Sequence, residues 1–367
     1  MKHARGFTII EFMIAMTLSL IVLAALTGAF VASSRARTEI EKANEQIENG
    51  RFALQILTDD FEVAGYLSNL DLDLALTADT ALAIPGAKPD PCMGAVDAAS
   101  LDALEAALPL HIQGYDSPAA LPAELDCLAD VKANTDIVLV RRTATCVDGA
   151  ANCPTVAGAA YLEASLCADE LDSLNYDEYF DLDTSDANLS RRKRDCATEA
   201  DKRQYLVHIY FIANNDIAGD GIPTLKRAEL GNNAGNATGF TIVPLARGIE
   251  DFQVEYGVDS SGDGLPDTFV ADPDSYDANS SGAVDNAERV ANWRNVMSLR
   301  LNVLARTTST IQDHTDVKVY YLGSKDDGSD QCAKTAGGVC AAFNDGYKRH
   351  VYQTSVRLIN PAGRRES

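Results

Sequence analysis

Two acidic loops hold the densest oxygen chemistry in the chain. Asp277 to Glu288 places side-chain oxygens at loop positions 1, 3, 5, 9 and 12, on Asp277, Asn279, Ser281, Asp285 and Glu288, with Gly282 at position 6. A hard cation such as calcium takes about six to eight oxygens. A loop of this spacing supplies them, adding the backbone carbonyl at position 7, here Ala283, and a bidentate glutamate at the end. Asp259, Ser261, Asp263 and Asp267 repeat the first part of the pattern, but Val270 stands where the closing glutamate would be. Neither loop is flanked by residues that predict the usual helix pair. Asp, Asn and Gly also form plain turns between strands, and that reading stays open for both loops. Asp216 and Asp220, beside Gly221, read as a hairpin turn.

The other reactive residue types point away from catalysis. The five histidines, His3, His111, His208, His314 and His350, belong to no nucleophile–base motif, and no glycine-rich phosphate loop follows a strand. The net charge of −23 accounts for the abundance of carboxylates and argues against nucleic-acid binding by the bulk of the protein. The one basic cluster, Arg191 to Arg194, lies between acidic stretches and reads as a solvated loop.

Eight cysteines, Cys92, Cys127, Cys146, Cys153, Cys167, Cys196, Cys332 and Cys340, lie beyond the apolar N-terminal segment with no Cys-x-x-Cys spacing. Zinc is therefore disfavoured, and an even number in an exported chain reads as a disulfide set. Sequence proximity favours Cys146–Cys153 and Cys332–Cys340, then Cys92–Cys127 and Cys167–Cys196. Each bridge would contribute about 2–4 kcal/mol.

Glu11 is the only charge in a run of 26 residues from Phe7 to Ala32. The run is long enough to cross a bilayer, which takes about 20 residues. A carboxylate at the bilayer centre costs roughly 2.5–3.5 kcal/mol on insertion scales, so a partner for it is expected. An ordinary secretory signal has a shorter apolar region, about 7–15 residues, and no acid inside it. Lys2 and Arg5 precede the run and Arg35 and Arg37 follow it, which leaves orientation undecided by charge alone.

The elements that must carry these residues follow from periodicity. Ile40, Ala43, Ile47, Gly50, Leu54, Leu57 and Phe61 recur every three or four residues, and no proline interrupts the chain before Gly65. A helix from Thr8 to Ala64 would be about 85 Å long at 1.5 Å per residue, apolar all round in its first half and amphipathic in its second. From Ser68 to Gln204 the chain reads as irregular, rich in Ala, Asp, Leu and Pro, with Asp136 to Arg141 its clearest strand. Beyond it strands dominate: Tyr205 to Ile212, Thr224 to Arg227, Phe240 to Leu245, Ile249 to Val258, Val296 to Leu304 and Tyr347 to Leu358. One long helix followed by antiparallel strands predicts an α+β fold with the helix packed on the sheet.

Met1-Lys2-His3-Ala4-Arg5-Gly6, then Phe7, then Glu11 at the fifth position after the glycine, then a long apolar helix, resembles the start of a type IV prepilin. Later segments are similar to PilW-type minor pilins: Asn49 to Leu54, Asp59 to Phe61, Ala64 to Tyr66, Gly248 to Gly257, Trp293 to Val296 and Arg349 to Thr354. The resemblance covers the helix and residues 205–360. It implies a type IV pilin-like fold with a long disulfide-tied loop region between helix and sheet. With the composition of the middle stretch, this divides the chain into a leader (1–6), an N-terminal helix (7–66, with 7–32 in the membrane or filament core), a loop-rich, cysteine-rich region (67–204), a β-sheet region (205–360) and a tail (361–367). The resemblance further implies cleavage by a prepilin peptidase between Gly6 and Phe7, N-methylation of Phe7, and a role for Glu11 in setting subunit register. The implied partners are other minor pilins, the major pilin and an inner-membrane assembly platform. The implied location is the inner membrane with a periplasmic head, then the pilus. A type II secretion pseudopilin and a pilus-tip adhesin are the alternative readings.

Overall fold

The computed structural model describes residues 8–77, 82–94, 98–171, 179–231, 239–324, 330–335 and 338–365. Helix α1, Ile9–Glu62, starts at an N-cap on Thr8 and ends at Val63. Gly65 then takes φ +70°, a left-handed turn, and a Cβ there would stand 2.9 Å from His111 Cβ. The first fully buried residue of α1 is Gln46, followed by Gly50, Ala53, Leu57, Asp60 and Phe61. The helix from Ile9 to Glu45 therefore stands largely clear of the head, over about 55 Å at 1.5 Å per residue. The buried line departs from the expected stripe. Ile40 and Ile47 are exposed, while polar Gln46 and Asp60 are buried. Among the described residues the upper stripe is left largely uncovered, and the polar pair find hydrogen bonds in the head.

The head is built on two antiparallel sheets. The first has seven strands: β1 (Ile112–Tyr115), β2 (Ile137–Thr143), β3 (Tyr161–Ala164), β4 (Phe180–Asp183), β5 (Arg203–Ala213), β6 (Thr224–Leu230) and β7 (Phe240–Arg247). Its order is β1-β2-β5-β3-β4; β3 meets β5 at Arg203 and Gln204, and β6 pairs with both β5 and β7. The second sheet takes β8 (Ile249–Val258), β9 (Thr268–Val270), β10 (Val296–Arg306) and β13 (Arg349–Arg357) in the order β13-β10-β8-β9. A two-stranded ribbon, β11 (Tyr321–Ser324) and β12 (Asp330–Cys332), accompanies it.

The period of two along β2 and β5 shows where the layers lie. On β5, Tyr205, Val207, Ile209 and Phe211 enter one core with Ile137 and Leu139 of β2; Tyr210 and Ile212 enter the other with Val138 and Val140. The second core also takes Ala53, Leu57 and Phe61 of α1 and the inward residues of β8 and β10. The first core is closed by residues 67–128 and 160–182, including Leu67, Leu104, Leu125 and Leu162. The seven-stranded sheet is thus covered on both faces, which is why its central strands read as near-continuous apolar runs.

Residues 67–204 are more ordered than their composition suggests. They contribute β1 to β4, and a boundary at residue 204 falls inside β5. Strands of four residues such as Ile-Gln-Gly-Tyr and Phe-Asp-Leu-Asp carry too little periodicity to stand out, and they pair only through contacts distant in sequence. Short helices α2 (Leu72–Thr77), α3 (Ala98–Ala106) and α4 (Ala168–Leu171) lie in the same stretch, and α5 (Asn286–Arg294) precedes β10. Four disulfides join Cys92–Cys127, Cys146–Cys153, Cys167–Cys196 and Cys332–Cys340, with Cα atoms 5.5, 6.1, 4.9 and 5.6 Å apart. The C-terminal residues also fold, as α6 (Ile359–Arg365), with Pro361 and Ala362 buried. From there Asn360 Nδ2 donates to Ala64 O at 3.2 Å, Arg364 Nη1 to Gly65 O at 3.2 Å, and Arg365 Nη1 to Asp259 Oδ2 at 2.9 Å. The chain's end therefore clamps the end of α1 against the second sheet.

Candidate functional site

Gly6 and Phe7 lie outside the described residues. Glu11 stands at the third position of α1 and closes a capping box with Thr8. Thr8 N and Thr8 Oγ1 both donate to Glu11 Oε2, at 3.0 and 2.9 Å, and Glu11 N donates to Thr8 Oγ1 at 3.3 Å. The box satisfies amides that a helix start otherwise leaves unbonded. Around it Ile9, Ile10, Phe12, Met13, Leu20, Ile21 and Phe30 are all more than half exposed. Such a surface is stable only in lipid or among other apolar helices.

A buried polar network fixes the other end of α1 to the first sheet. Asp60 Oδ1 accepts from Arg142 Nε at 2.7 Å, and Asp60 Oδ2 meets His208 Nδ1 and Tyr210 Oη, each at 2.7 Å. Burial works against the Asp60 charge. The His208 hydrogen bond, the charges of His208 and Arg142 and the Tyr210 hydroxyl outweigh it and hold the carboxyl well below the usual range. Higher on the helix, Gln46 Nε2 donates to Ala305 O at 2.7 Å and Lys42 Nζ to Thr310 O at 2.9 Å. Gly50 is required by close approach, since a Cβ would lie 2.3 Å from Tyr352 Cε2.

His111 is buried behind the α1 end, its Nε2 2.8 Å from Val296 O. Burial pushes its pKa down to about 3; the Val296 bond opposes this, and the charges of Arg364, Arg365 and Arg294 add to it. The folded value lies below the unfolded value of about 6.5, so the neutral ring's contribution is complete above that pH. It declines as the pH falls toward 3. We expect unfolding free energy from urea titrations to drop by up to about 1.4 kcal/mol per pH unit in that window, and His111→Gln to lose most of the slope. An unchanged slope in the variant would count against this assignment.

The acidic loops differ in how their oxygens are used. In the 277–288 loop, Asp277 Oδ1 accepts from Ser281 N at 2.9 Å and Oδ2 from Gly282 N at 2.7 Å. Asn279 Oδ1 also accepts from Ser281 N, at 2.8 Å, and Ser281 Oγ donates to Ala283 O at 2.8 Å. Glu288 folds back so that its Oε1 accepts from Asn279 N at 3.2 Å. Asp285 caps α5, its Oδ1 accepting from Glu288 N at 2.8 Å. The first, third, fifth and twelfth residues thus converge, with a helix leaving the loop though none enters it. In the 259–267 loop, Asp259 is buried and already ion-paired with Arg365, and it accepts from Gly262 N and Gly264 N at 2.6 and 2.9 Å. Asp267 Oδ2 accepts from Ser260 N and Ser261 N, both at 2.8 Å. Ser261 Oγ donates to Asp259 at 3.2 Å, and Asp263 Oδ1 accepts from Leu265 N at 2.9 Å. This second loop is a turn completed by the protein's own arginine. A cluster of Cys167, Asp169 and Cys196 has metal-like proximity, but both cysteines are consumed by their disulfide.

Sequence reasoning placed Glu11 without Thr8 and missed Asp60, Arg142 and Arg365. The Thr8-to-Glu11 spacing is a readable capping signal; the Asp60 partners come from strands more than 80 residues away, as their separations of 82, 148 and 150 show.

A long helix with a freestanding apolar half, long and apolar enough to cross a membrane, packed by its second half onto antiparallel sheets, is a pilin-like fold. Comparison with known families narrows this. Residues 1–27 match the prokaryotic N-terminal methylation motif, and residues 209–360 match the type IV pilus-assembly protein W family, PilW. Over these residues the chain is similar to type IV pilus minor pilins of PilW type, with a prepilin-like N-terminus. No curated protein and no solved structure matches the chain. The PilW match runs from within β5 to the start of α6, leaving residues 28–208 to neither family.

Proposed function

We propose that this minor pilin helps initiate or cap a type IV pilus, and through it supports twitching motility and adhesion. The observation that carries the reading is α1: one carboxylate, Glu11, at the head of a helix whose apolar half stays largely exposed among the described residues. A prepilin peptidase cuts after Gly6, and Phe7 becomes the methylated N-terminus. The subunit waits in the inner membrane with its head in the periplasm. During assembly the apolar half passes into the filament core, where Glu11 pairs with the N-terminal amine of a neighbouring subunit. The major pilin, other minor pilins and the assembly platform are its partners, and its role is structural rather than enzymatic. A strain lacking the gene is expected to lose most surface pili by electron microscopy while secreting its extracellular proteins normally. Normal piliation with lost secretion would instead make the chain a type II secretion pseudopilin.

Calcium at the 277–288 loop is a second element of this reading, supported by the convergence of Asp277, Asn279, Ser281 and Glu288. The 259–267 loop is a weaker candidate because Asp259 is held by Arg365. Titration calorimetry on the detergent-solubilised protein is expected to show heat at roughly millimolar calcium or below, lost in Glu288→Gln. No heat in that range ends the idea.

A further inference from the structure

A cavity of about 590 Å³ lies between α1 and the second sheet, walled by α1 residues from Ala43 to Arg51, by the 314–320 segment and by the start of β13. Its size falls within the range of small-ligand sites, about 300–1,000 Å³. Its charge runs against that of the whole protein. Arg51, Lys318 and Lys348 line it, and among the described residues none of the three belongs to an ion pair. The acid in the wall, Asp316, is already matched. Its Oδ2 accepts from Arg349 Nη1 at 3.1 Å and from Tyr320 Oη at 2.9 Å. Arg349 is in turn held by Glu250 and by Asp345, whose Oδ1 lies 2.6 Å from Nη1. Arg349 and Arg306, which lies 3.7 Å from Glu250, together face three carboxylates and leave one negative charge, so the three other lining cations keep the cavity net positive in a chain of net charge −23.

Two further lining groups lack what they need. His314 Nε2 and Tyr352 Oη are buried without a hydrogen-bond partner among the described residues. Leaving such a group unbonded costs roughly 1–3 kcal/mol. A tyrosine hydroxyl is a donor, and so is the imidazole nitrogen in its Nε2–H form. Donors and cations converging on one cavity suit a group rich in acceptor oxygens.

We propose that this cavity binds a small oxyanion, a ligand presenting phosphate or carboxylate groups, between the helix and the head. Arg51, Lys318 and Lys348 supply the charge; His314 and Tyr352, whose Nε2 and Oη are closed off from solvent without partners among the described residues, supply directed hydrogen bonds once their side chains turn toward the ligand. Ala43 lies eleven residues beyond Ala32, about 16 Å along the helix axis, so the ligand comes from outside the bilayer rather than from the headgroups around the span. The proposal stands apart from the pilus reading, because it concerns a cavity in the head of the subunit whatever machine uses it.

Calorimetric titration of the detergent-solubilised full-length protein with inorganic phosphate and, separately, citrate tests it. Saturable binding of at least one is expected, and the tighter of the two tells phosphate from carboxylate. Lys318→Gln/Lys348→Gln should weaken binding by about tenfold or more, and Tyr352→Phe by a smaller factor. A control with Arg192→Gln/Lys193→Gln, in the basic loop elsewhere on the head, should bind as the parent does. Melting curves of each variant report whether the fold is kept. Absence of saturable binding by both anions up to about 20 mM overturns the proposal, as does equal weakening by the control pair.

Discussion

Glu11→Ala is expected to leave the protein in the membrane at normal level and to remove it from assembled pili. The two halves of that outcome follow from different energies. For insertion, a carboxylate near the start of the span is a cost smaller than the roughly 2.5–3.5 kcal/mol it would carry at the bilayer centre, so its loss does not weaken anchoring. For assembly, on the function proposed above, it is the charge that pairs with a neighbour's N-terminal amine. The capping box makes the separation sharper. Both Thr8 donors go to Oε2, which steadies the carboxylate within its own subunit and leaves Oε1 for a partner's amine. Breaking a buried ion pair by removing one member costs about 3–5 kcal/mol, enough to exclude a subunit from a filament. Immunoblots of membrane fractions and of sheared pili measure the two quantities. Normal incorporation into sheared pili would defeat the role assigned to Glu11.

Asp60→Ala is the second large effect, and it acts on the head. The substitution strands the mostly buried Arg142 guanidinium, leaving it only the Thr143 carbonyl, and removes the acceptor shared by His208 and Tyr210. An uncompensated buried charge of this kind costs about 3–5 kcal/mol, a large part of the stability of an ordinary domain. Because the folded carboxyl titrates below the unfolded value of about 3.9, its contribution is present above that pH and is lost only in stronger acid. The His111 contribution disappears at higher pH, between about 6.5 and 3. Urea titrations at pH 7 and 5 should therefore show the full Asp60→Ala deficit at both values, while the parent is already weakened at pH 5 by His111. A deficit under about 1 kcal/mol at pH 7 would show that Asp60 does not tie α1 to the sheet.

Part of this molecule was legible residue by residue. The break in chemistry between an apolar run and its lone acid singled out the N-terminal segment, because composition alone carries it. Strands β2, β5, β8, β10 and β13 were legible because long runs that are buried or strictly alternating leave a clear period. The cysteine pairs closest in sequence needed only short loops. By contrast, β1, β3 and β4 each span four residues, and their partners sit far along the chain. The C-terminal residues looked like a tail, yet Arg365 reaches Asp259 and takes over a charge that the loop spacing had offered to calcium.

The amino-acid sequence by itself determined the membrane-length helix, its one carboxylate, the disulfide-bonded character of the head and the antiparallel strands of its second half. Those properties rest on local composition and on periods of two and 3.6 residues, which need no knowledge of what lies across the fold. Only the tertiary structure decided that Asp60 ties the helix to the sheet, that residues 67–204 build part of that sheet, and that unmatched cations gather beside buried donors. Each of these depends on groups from distant segments meeting within about 3 Å, and hydrogen bonds and ion pairs of that range leave no periodic trace along the chain.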